Sequence, residues 1–570
     1  MIYSKEKKTK RQPFEWLTKE SRQFLANGYV EDGDKVEERI RFIADNAEEV
    51  LGISGFADKF YDYMSRGWFS LSSPVWSNFG LKRGLPISCF GSYIGDSIAE
   101  INFAVSEVSM MSKLGGGTSG YFGHIRPRGT EINNNGTTNG SFPFARAFDT
   151  TVDVVSQGST RRGRFSPYID IEHPDILEWL DIGLEGNPIQ ELQHGVCVGG
   201  KWLEEMKAGD SEKRKIWAKL IQCRGEIGYP YVFYKDNVNN NTVDVYKDKG
   251  MKIYASNLCT EIMLPSSQKE SFVCCLSSLN LLHYDEWKDT DAVETMTYFL
   301  DAVMEEFITK LEVYRDSDEF TDNLSFSQME RTYNFAKNHR ALGIGVVGWH
   351  SLLQSKMIPF ESFDAMQLNT RVFKSIQEQA YEASKNLADM FGEPELLKGY
   401  GRRNTTLTAV APTKSSSFVL GQVSLGIEPI KSNIYVKDLA KIKTTVKNKF
   451  LIKLLEEKGM NTKDVWRDIR DKDGSVQHLD FLSDHEKDVF KTWFEISQLS
   501  LVQQASSRQK YICQAQSLNL AVHPSTPTKE INKLMMTAHE LGVKSLYYQE
   551  NMSAAQQFKR ELNDCASCEG

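Results

Sequence analysis

The chain has 570 residues, 40% of them hydrophobic and 25% charged, with a formal net charge of −8. That length and composition exclude a disordered, collagenous or fibrous chain and allow up to roughly four domains' worth of core. The acidic balance excludes a general nucleic-acid-coating role, which needs a basic surface, but leaves room for small anions such as nucleotides at a local site. Residues 13–70 read as helical, because 21–25, 35–51 and 56–68 carry apolar residues at three- and four-residue spacing. From about residue 71 the texture changes. Loops rich in glycine and asparagine, at 115–117, 133–140 and 157–163, alternate with short β-rich runs and with amphipathic helices at 176–180, 292–311 and 362–390. Strands alternating with helices predict an α/β architecture with parallel strands. Residues 551–570 are polar and predict a mobile tail. The N-terminus has charge but no apolar stretch behind it, and no span reaches the roughly 18 apolar residues of a membrane helix. We therefore expect a cytoplasmic protein with no signal peptide and no membrane partner.

Nine cysteines are scattered along the chain: Cys89, Cys197, Cys223, Cys259, Cys274, Cys275, Cys513, Cys565 and Cys568. An odd number so dispersed does not read as a secreted disulfide framework but as an intracellular protein in which some thiols do chemistry. Cys565 and Cys568 form a C-x-x-C pair in the polar tail. A structural zinc site needs about four ligands, and there is no second C-x-x-C. The pair reads better as a swinging dithiol for thiol–disulfide exchange, which demands another dithiol inside the protein. Cys89 and Cys274-Cys275 lie in apolar segments that would otherwise be core strands.

The segment Ser256-Asn257-Leu258-Cys259-Thr260-Glu261 is the densest in chemistry. Read as extended, it puts Asn257, Cys259 and Glu261 on one face: an amide, a sulfur and a carboxylate able to take a proton. A buried, inert cysteine on a polar edge strand is the plainer reading. Three small-residue loops, at 72–74, 113–119 and 412–417, offer hydroxyls and open backbone N–H groups to anions. None is a P-loop or a dinucleotide fingerprint. Tyr547 and Tyr548 stand side by side, either as core-filling rings or as adjacent phenols able to pass an oxidising equivalent.

Taken together and in order, these segments resemble the large, catalytic subunit of class I ribonucleotide reductase. The resemblance rests on Leu71-Ser-Ser-Pro74, Ser88-Cys89, Asp96-Ser-Ile98, Lys113-Leu-Gly-Gly-Gly117, Ile125-Arg-Pro-Arg-Gly129, Gln157-Gly158, Arg161-Arg162-Gly163, His173-Pro-Asp175, the 256–261 segment, Cys274 with Leu279-Asn280-Leu281, Ala411-Pro-Thr413, Gly426-Ile-Glu-Pro429, Leu546-Tyr-Tyr548 and the Cys565/Cys568 tail. It implies a ten-stranded α/β barrel of two parallel five-stranded halves around an inner finger loop. Its implied extents are an N-terminal helical region at 1–70, the barrel at 71–550 and the redox-active tail at 551–570. It further implies that Cys259 carries a thiyl radical, that Glu261 takes a proton from the ribose and that Asn257 holds the substrate. Cys89 and Cys274 would reduce the substrate as a pair and be re-reduced by Cys565 and Cys568. Tyr547 and Tyr548 would relay the radical from a metal-containing small subunit, so that no cofactor or metal is bound in this subunit itself. Ser73, Ser88, Gly116, Gly117, Thr413, Ser415 and Ser416 match substrate-binding positions. Asp96, Lys113, Arg126, Gln157, Arg161 and Arg162 match the (d)NTP effector site and its signalling loop at a homodimer interface. A thioredoxin- or glutaredoxin-like protein is the implied reductant.

Three departures from the family pattern bear on function, one being Lys414, which adds a charge to the phosphate loop. Only about 70 residues precede the Ser-Ser-Pro segment, and residues 5–11 lack the glycine-bearing signature of the N-terminal ATP-cone, so the short form without overall dATP inhibition is expected. Cys275 follows Cys274 directly and rivals it as the redox partner. An adenosylcobalamin-dependent reductase shares the barrel and thiols but needs no tyrosine pair. A catalytically silent nucleotide-binding regulator would not need the full cysteine set.

Overall fold

The computed structural model describes residues 12–30, 33–87, 89–155, 163–439 and 442–551. Ser88, Gln157, Arg161, Arg162, Cys565 and Cys568 fall outside the described residues. The chain begins with helices Lys19–Ala26, Val36–Leu51 and Phe56–Ser65. The first is capped by the Thr18 hydroxyl, which accepts from the Ser21 amide at 3.1 Å. Its apolar stripe, with those of its neighbours, buries Phe24, Ile40, Ile43, Phe60 and Met64. The third helix stops at Ser65 rather than running on to 68. Gly67 takes a left-handed φ of +71° there, and the chain turns into the strand Phe69–Leu71.

Two five-stranded parallel arrays make the centre. In the first, Cys89–Ser92, Gly117–Tyr121, Arg164–Asp170, Gly195–Val198 and Tyr231–Tyr234 pair in sequence order, every neighbour parallel. In the second, Phe272–Asn280 pairs parallel with Leu342–Val347. That strand bridges to Thr408, Val410 bridges to Gln516, and Leu520–Ala521 pairs with Gln549–Glu550, all parallel. Two antiparallel seams join the arrays: Cys89–Gly91 against Phe272–Cys274, and Ser545–Leu546 against Val232–Phe233. Five and five thus join, through these seams and bridges, into a barrel. Phe69–Leu71 adds outside it, antiparallel to Ser277–Leu279.

The strands Phe272–Asn280 and Leu342–Val347 are buried along their whole length, as expected where both sheet faces are covered. The long helices Ala292–Arg315 and Phe363–Phe391 pack together outside this half. The expected helices at 292–311 and 362–390 are these two, and the one at 176–180 is Ile176–Trp179. A lobe at 434–490 was not anticipated from the sequence. A hairpin, Ile434–Leu439 with Ile442–Lys447, and helices Lys449–Glu457, Lys463–Asp471 and Asp484–Val489 enclose a separate core of Leu451, Leu455, Trp466, Ile469 and Phe490. Among the described residues no helix is long and apolar enough to cross a membrane.

Because the halves run in opposite directions, the N-terminal ends of the first and the C-terminal ends of the second share one mouth of the barrel. Cys89, Gly116 and Gly117 lie there by the first half, and Thr413, Ser415 and Ser416 by the second. The turn at Ser72-Ser73 joins them, its Ser72 amide donating to the Ser277 hydroxyl at 3.4 Å.

Candidate active site

The segment that returns through the barrel is not extended at its tip. Residues 258–260 turn, with Thr260 at a left-handed φ of +66°. The strand-like alternation expected for Asn257, Cys259 and Glu261 is therefore replaced by a turn, which brings Asn257 and Glu261 together by folding back. Asn257 Nδ2 donates to Glu261 Oε1 at 2.9 Å, and the Ile262 amide donates to Asn257 Oδ1 at 3.2 Å. Strand residues hold the tip from outside. Tyr168 Oη donates to the Asn257 carbonyl at 2.7 Å, Ser545 Oγ to the Thr260 carbonyl at 2.8 Å, and the Ala515 amide to the Glu261 carbonyl at 2.9 Å.

Cys259 is 5% exposed. Tyr547 Oη reaches its sulfur at 3.5 Å. The Tyr547 and Tyr548 rings lie 4.4 Å apart, and Tyr231 packs against both, at 4.7 and 5.1 Å between centroids. Buried Arg224 donates to the Tyr547 carbonyl at 3.0 Å and fixes that backbone. Ser517 Oγ lies 2.5 Å from the Cys259 carbonyl and 3.0 Å from Glu261 Oε2. Burial pushes the Glu261 carboxyl up to about 7, against the opposing hydrogen bonds from Asn257 and Ser517. A carboxyl poised near neutrality can take a proton and give it back.

Cys89 and Cys274 sit directly opposite each other across the antiparallel seam, a spacing that a disulfide can bridge. The seven described cysteines are in the thiol form. Asn257 Nδ2 approaches the Cys89 sulfur at 3.6 Å, and Gln514 Nε2 donates to the Cys274 sulfur at 3.3 Å. Cys275, one residue on, points to the opposite face, although the Cys89 thiol and then Asp301 on the outer helix both act on it. Burial raises both thiols well above the ordinary range.

The other expected positions divide. Thr413, itself at a left-handed φ of +57°, accepts the Gly426 amide at 2.7 Å; it and Ser73, Ser415 and Ser416 are buried. Gly116 lies against the Phe90 ring, where a Cβ would come within 2.4 Å. At the opposite mouth, Asp96 accepts both the backbone and the Nε of Arg126 at 2.8 Å. Lys113 does not join that pair. It ends the helix Ile98–Lys113, which is 16 residues and so about 24 Å long, at the end away from Asp96. A groove of about 750 Å³ runs between this helix and Phe142–Val154, lined by Val105, Ser109, Arg146, Thr150 and Val154. Sequence reasoning missed Tyr168, Tyr231, Gln514 and Ser517. The available signal was the polar run Gln514-Ala-Gln-Ser517 inside an otherwise apolar stretch.

Comparison with known proteins agrees with this architecture. The sequence model of the ribonucleotide reductase barrel domain matches residues 87–213, 204–396 and 393–549, and that of the ribonucleotide reductase all-alpha domain matches 15–84. The ribonucleoside-diphosphate reductase large subunit of Invertebrate iridescent virus 3 is 32% identical, covering 96% of this chain and 97% of its own. The large subunit of Danio rerio is 28% identical, over 88% of this chain and 71% of its own. The structure of the Actinobacillus ureae class Id ribonucleotide reductase alpha subunit superposes with a TM-score of 0.89 at 60% identity, covering 96% of this chain and 99% of that one. The barrel, the thiols inside it and these matches make the chain a member of the ribonucleotide reductase large-subunit family.

Proposed function

We propose that this chain is the catalytic large subunit of a ribonucleoside-diphosphate reductase, converting ribonucleotides to 2′-deoxyribonucleotides. The observation that carries the reading is a buried thiol, Cys259, with a tyrosine pair on one side and an in-register thiol pair on the seam beside its loop. A small partner subunit supplies the oxidising equivalent through Tyr548 and Tyr547, and Cys259 becomes a thiyl radical. Its sulfur takes the 3′-hydrogen of the ribose. Glu261 accepts the 3′-hydroxyl proton, and the 2′-hydroxyl leaves as water. Cys89 and Cys274 supply two electrons and two protons and join as a disulfide. Cys259 then returns the hydrogen to C3′. The balance is ribonucleotide plus dithiol giving deoxyribonucleotide, disulfide and water. Cys565 and Cys568 exchange with that disulfide and are recharged by a thioredoxin- or glutaredoxin-like protein.

The buried hydroxyls at the shared mouth support substrate binding by Ser73, Thr413, Ser415 and Ser416, with Gly116 and Gly117 alongside; the same role is proposed for Ser88. Exposed apolar residues on the paired helices, Ile98 at 62% and Val154 at 75%, support a homodimer. In such a dimer Lys113 of one copy would join the Asp96–Arg126 pair of the other in an effector site, a role proposed also for Gln157, Arg161 and Arg162.

Reduction of CDP by the full chain with dithiothreitol and a candidate small subunit tests the reading; dCDP is the expected product. Turnover with adenosylcobalamin and no partner protein overturns it. Cys274→Ser is expected to stop multiple turnover and Cys275→Ser to leave it within about threefold, since a side chain on the outer face meets no substrate. The reverse result transfers the redox role to Cys275.

A further inference from the structure

The dithiol and the radical loop must address neighbouring carbons of one ribose, yet they belong to different elements. Asn257 reaches from the loop to Cys89, and a second side chain ties the loop to Cys274. Gln514 is fully buried. Its Oε1 accepts the Met263 amide at 2.9 Å, two residues beyond Glu261. A backbone N–H cannot accept, so this bond fixes the amide's orientation and turns Nε2 the other way. There Nε2 is shared among the Leu342 carbonyl at 3.1 Å, Thr406 Oγ1 at 3.1 Å and the Cys274 sulfur at 3.3 Å. The backbone beneath is held equally firmly. Lys544 Nζ donates to the Cys513 and Gln514 carbonyls at 2.9 and 2.7 Å, and Gln509 Nε2 donates to the Gln514 carbonyl at 3.0 Å.

We propose that Gln514 is a positioning residue for the Cys274 thiol, its N–H polarising the sulfur while its carbonyl ties that sulfur's strand to the loop carrying Cys259 and Glu261. The proposal rests on the reductase reading above. The titratable groups around Cys274 are the Cys89 thiol across the seam, the Glu261 carboxyl, the Tyr246 phenol and, on the other face one residue on, the Cys275 thiol; each disfavours an anionic sulfur, as does burial itself. The Gln514 N–H is the hydrogen bond that favours it. As Cys274 gives up its proton and bonds to Cys89, negative charge builds on a sulfur with no cation among those neighbours, and the amide lies where that charge develops.

The test uses the full chain carrying Cys565→Ser and Cys568→Ser, so that the tail does not clear the disulfide. It is mixed with a candidate small subunit and CDP, without reductant. Gln514→Glu keeps the acceptor for Met263 and loses the donor once its carboxyl ionises; Gln514→Met loses both at every pH, and melting temperatures report whether each folds. The readouts are the rate of Cys89–Cys274 disulfide formation by mass against pH and, in the wild-type tail background, kcat and KM. The expected result is a KM within about twofold and a kcat lowered about tenfold to a hundredfold, the loss of one or two hydrogen bonds to a group that becomes charged. The rise of disulfide formation with pH that continues above the Glu261 limb near 7 is expected to move up by about one pH unit, further for Gln514→Glu. An unchanged pH limb overturns the proposal whatever kcat does, since a structural role alone does not move it. If Gln514 intact yields no Cys89–Cys274 disulfide with product, the reductase reading falls too; if it does and the variants match it, only the Gln514 inference falls.

Discussion

Cys259→Ser is expected to abolish deoxynucleotide formation, by at least about a thousandfold, while the chain stays folded and still binds its small subunit. Serine replaces the sulfur almost isosterically at a site that is 5% exposed, so packing is little disturbed. The chemistry is not preserved. An S–H bond is weak enough for a phenoxyl radical to break, and an O–H bond is not. Tyr547→Phe and Tyr548→Phe should be equally inactive, because each keeps the ring that packs on Tyr231 but loses the hydroxyl that passes the proton and electron. Product from CDP in a single turnover is the measurement. Activity surviving Cys259→Ser removes the core of the proposed mechanism. Activity surviving Tyr547→Phe breaks the link drawn from its 3.5 Å contact with the Cys259 sulfur.

Glu261→Gln is expected to lower kcat about a hundredfold to ten-thousandfold, the usual contribution of a positioned base. The wild-type kcat/KM should rise as pH increases through about 7, where burial has set this carboxyl, because only the carboxylate can take the 3′-hydroxyl proton. In the variant that limb disappears. Stability moves the other way. The folded carboxyl holds its proton more tightly than the unfolded one, so its contribution is fully present below about pH 4.5 and is lost as pH rises through about 7. The glutamine has no such loss. Its stability relative to wild type is therefore expected to grow between about pH 4.5 and 7, to a ceiling on the order of 3 kcal/mol that holds at higher pH, and to appear as a Tm difference small at pH 4.5 and largest at pH 7 and above. A Tm difference independent of pH would show that Glu261 is not the titrating group.

Much of this was legible before any coordinates. Three- and four-residue spacing located the helices at 36–51, 292–315 and 363–391 to within a few residues, because an apolar stripe on a helix is a local pattern. The lobe at 434–490 was not legible: its helices are short and their core forms only on assembly. At the site, alternation put Asn257, Cys259 and Glu261 together for the wrong reason. A turn at 258–260, locked by Ser517, Ser545 and Ala515 from distant strands, does what an extended segment was expected to do.

Residue chemistry, order and local periodicity were the sequence's to determine: five cysteines at positions resembling a family of radical reductases, a glutamate two residues from the central one, and two adjacent tyrosines. Tertiary structure alone decided which faces meet. The antiparallel seam sets Cys274 rather than Cys275 opposite Cys89, and a one-residue slip would exchange them, since side chains alternate across a strand. The same holds for Lys113, matched by resemblance to the same site as Asp96 but set at the far end of the helix Ile98–Lys113. Register, burial and the strength of a buried carboxyl are properties of contacts between segments hundreds of residues apart, and a linear pattern does not contain them.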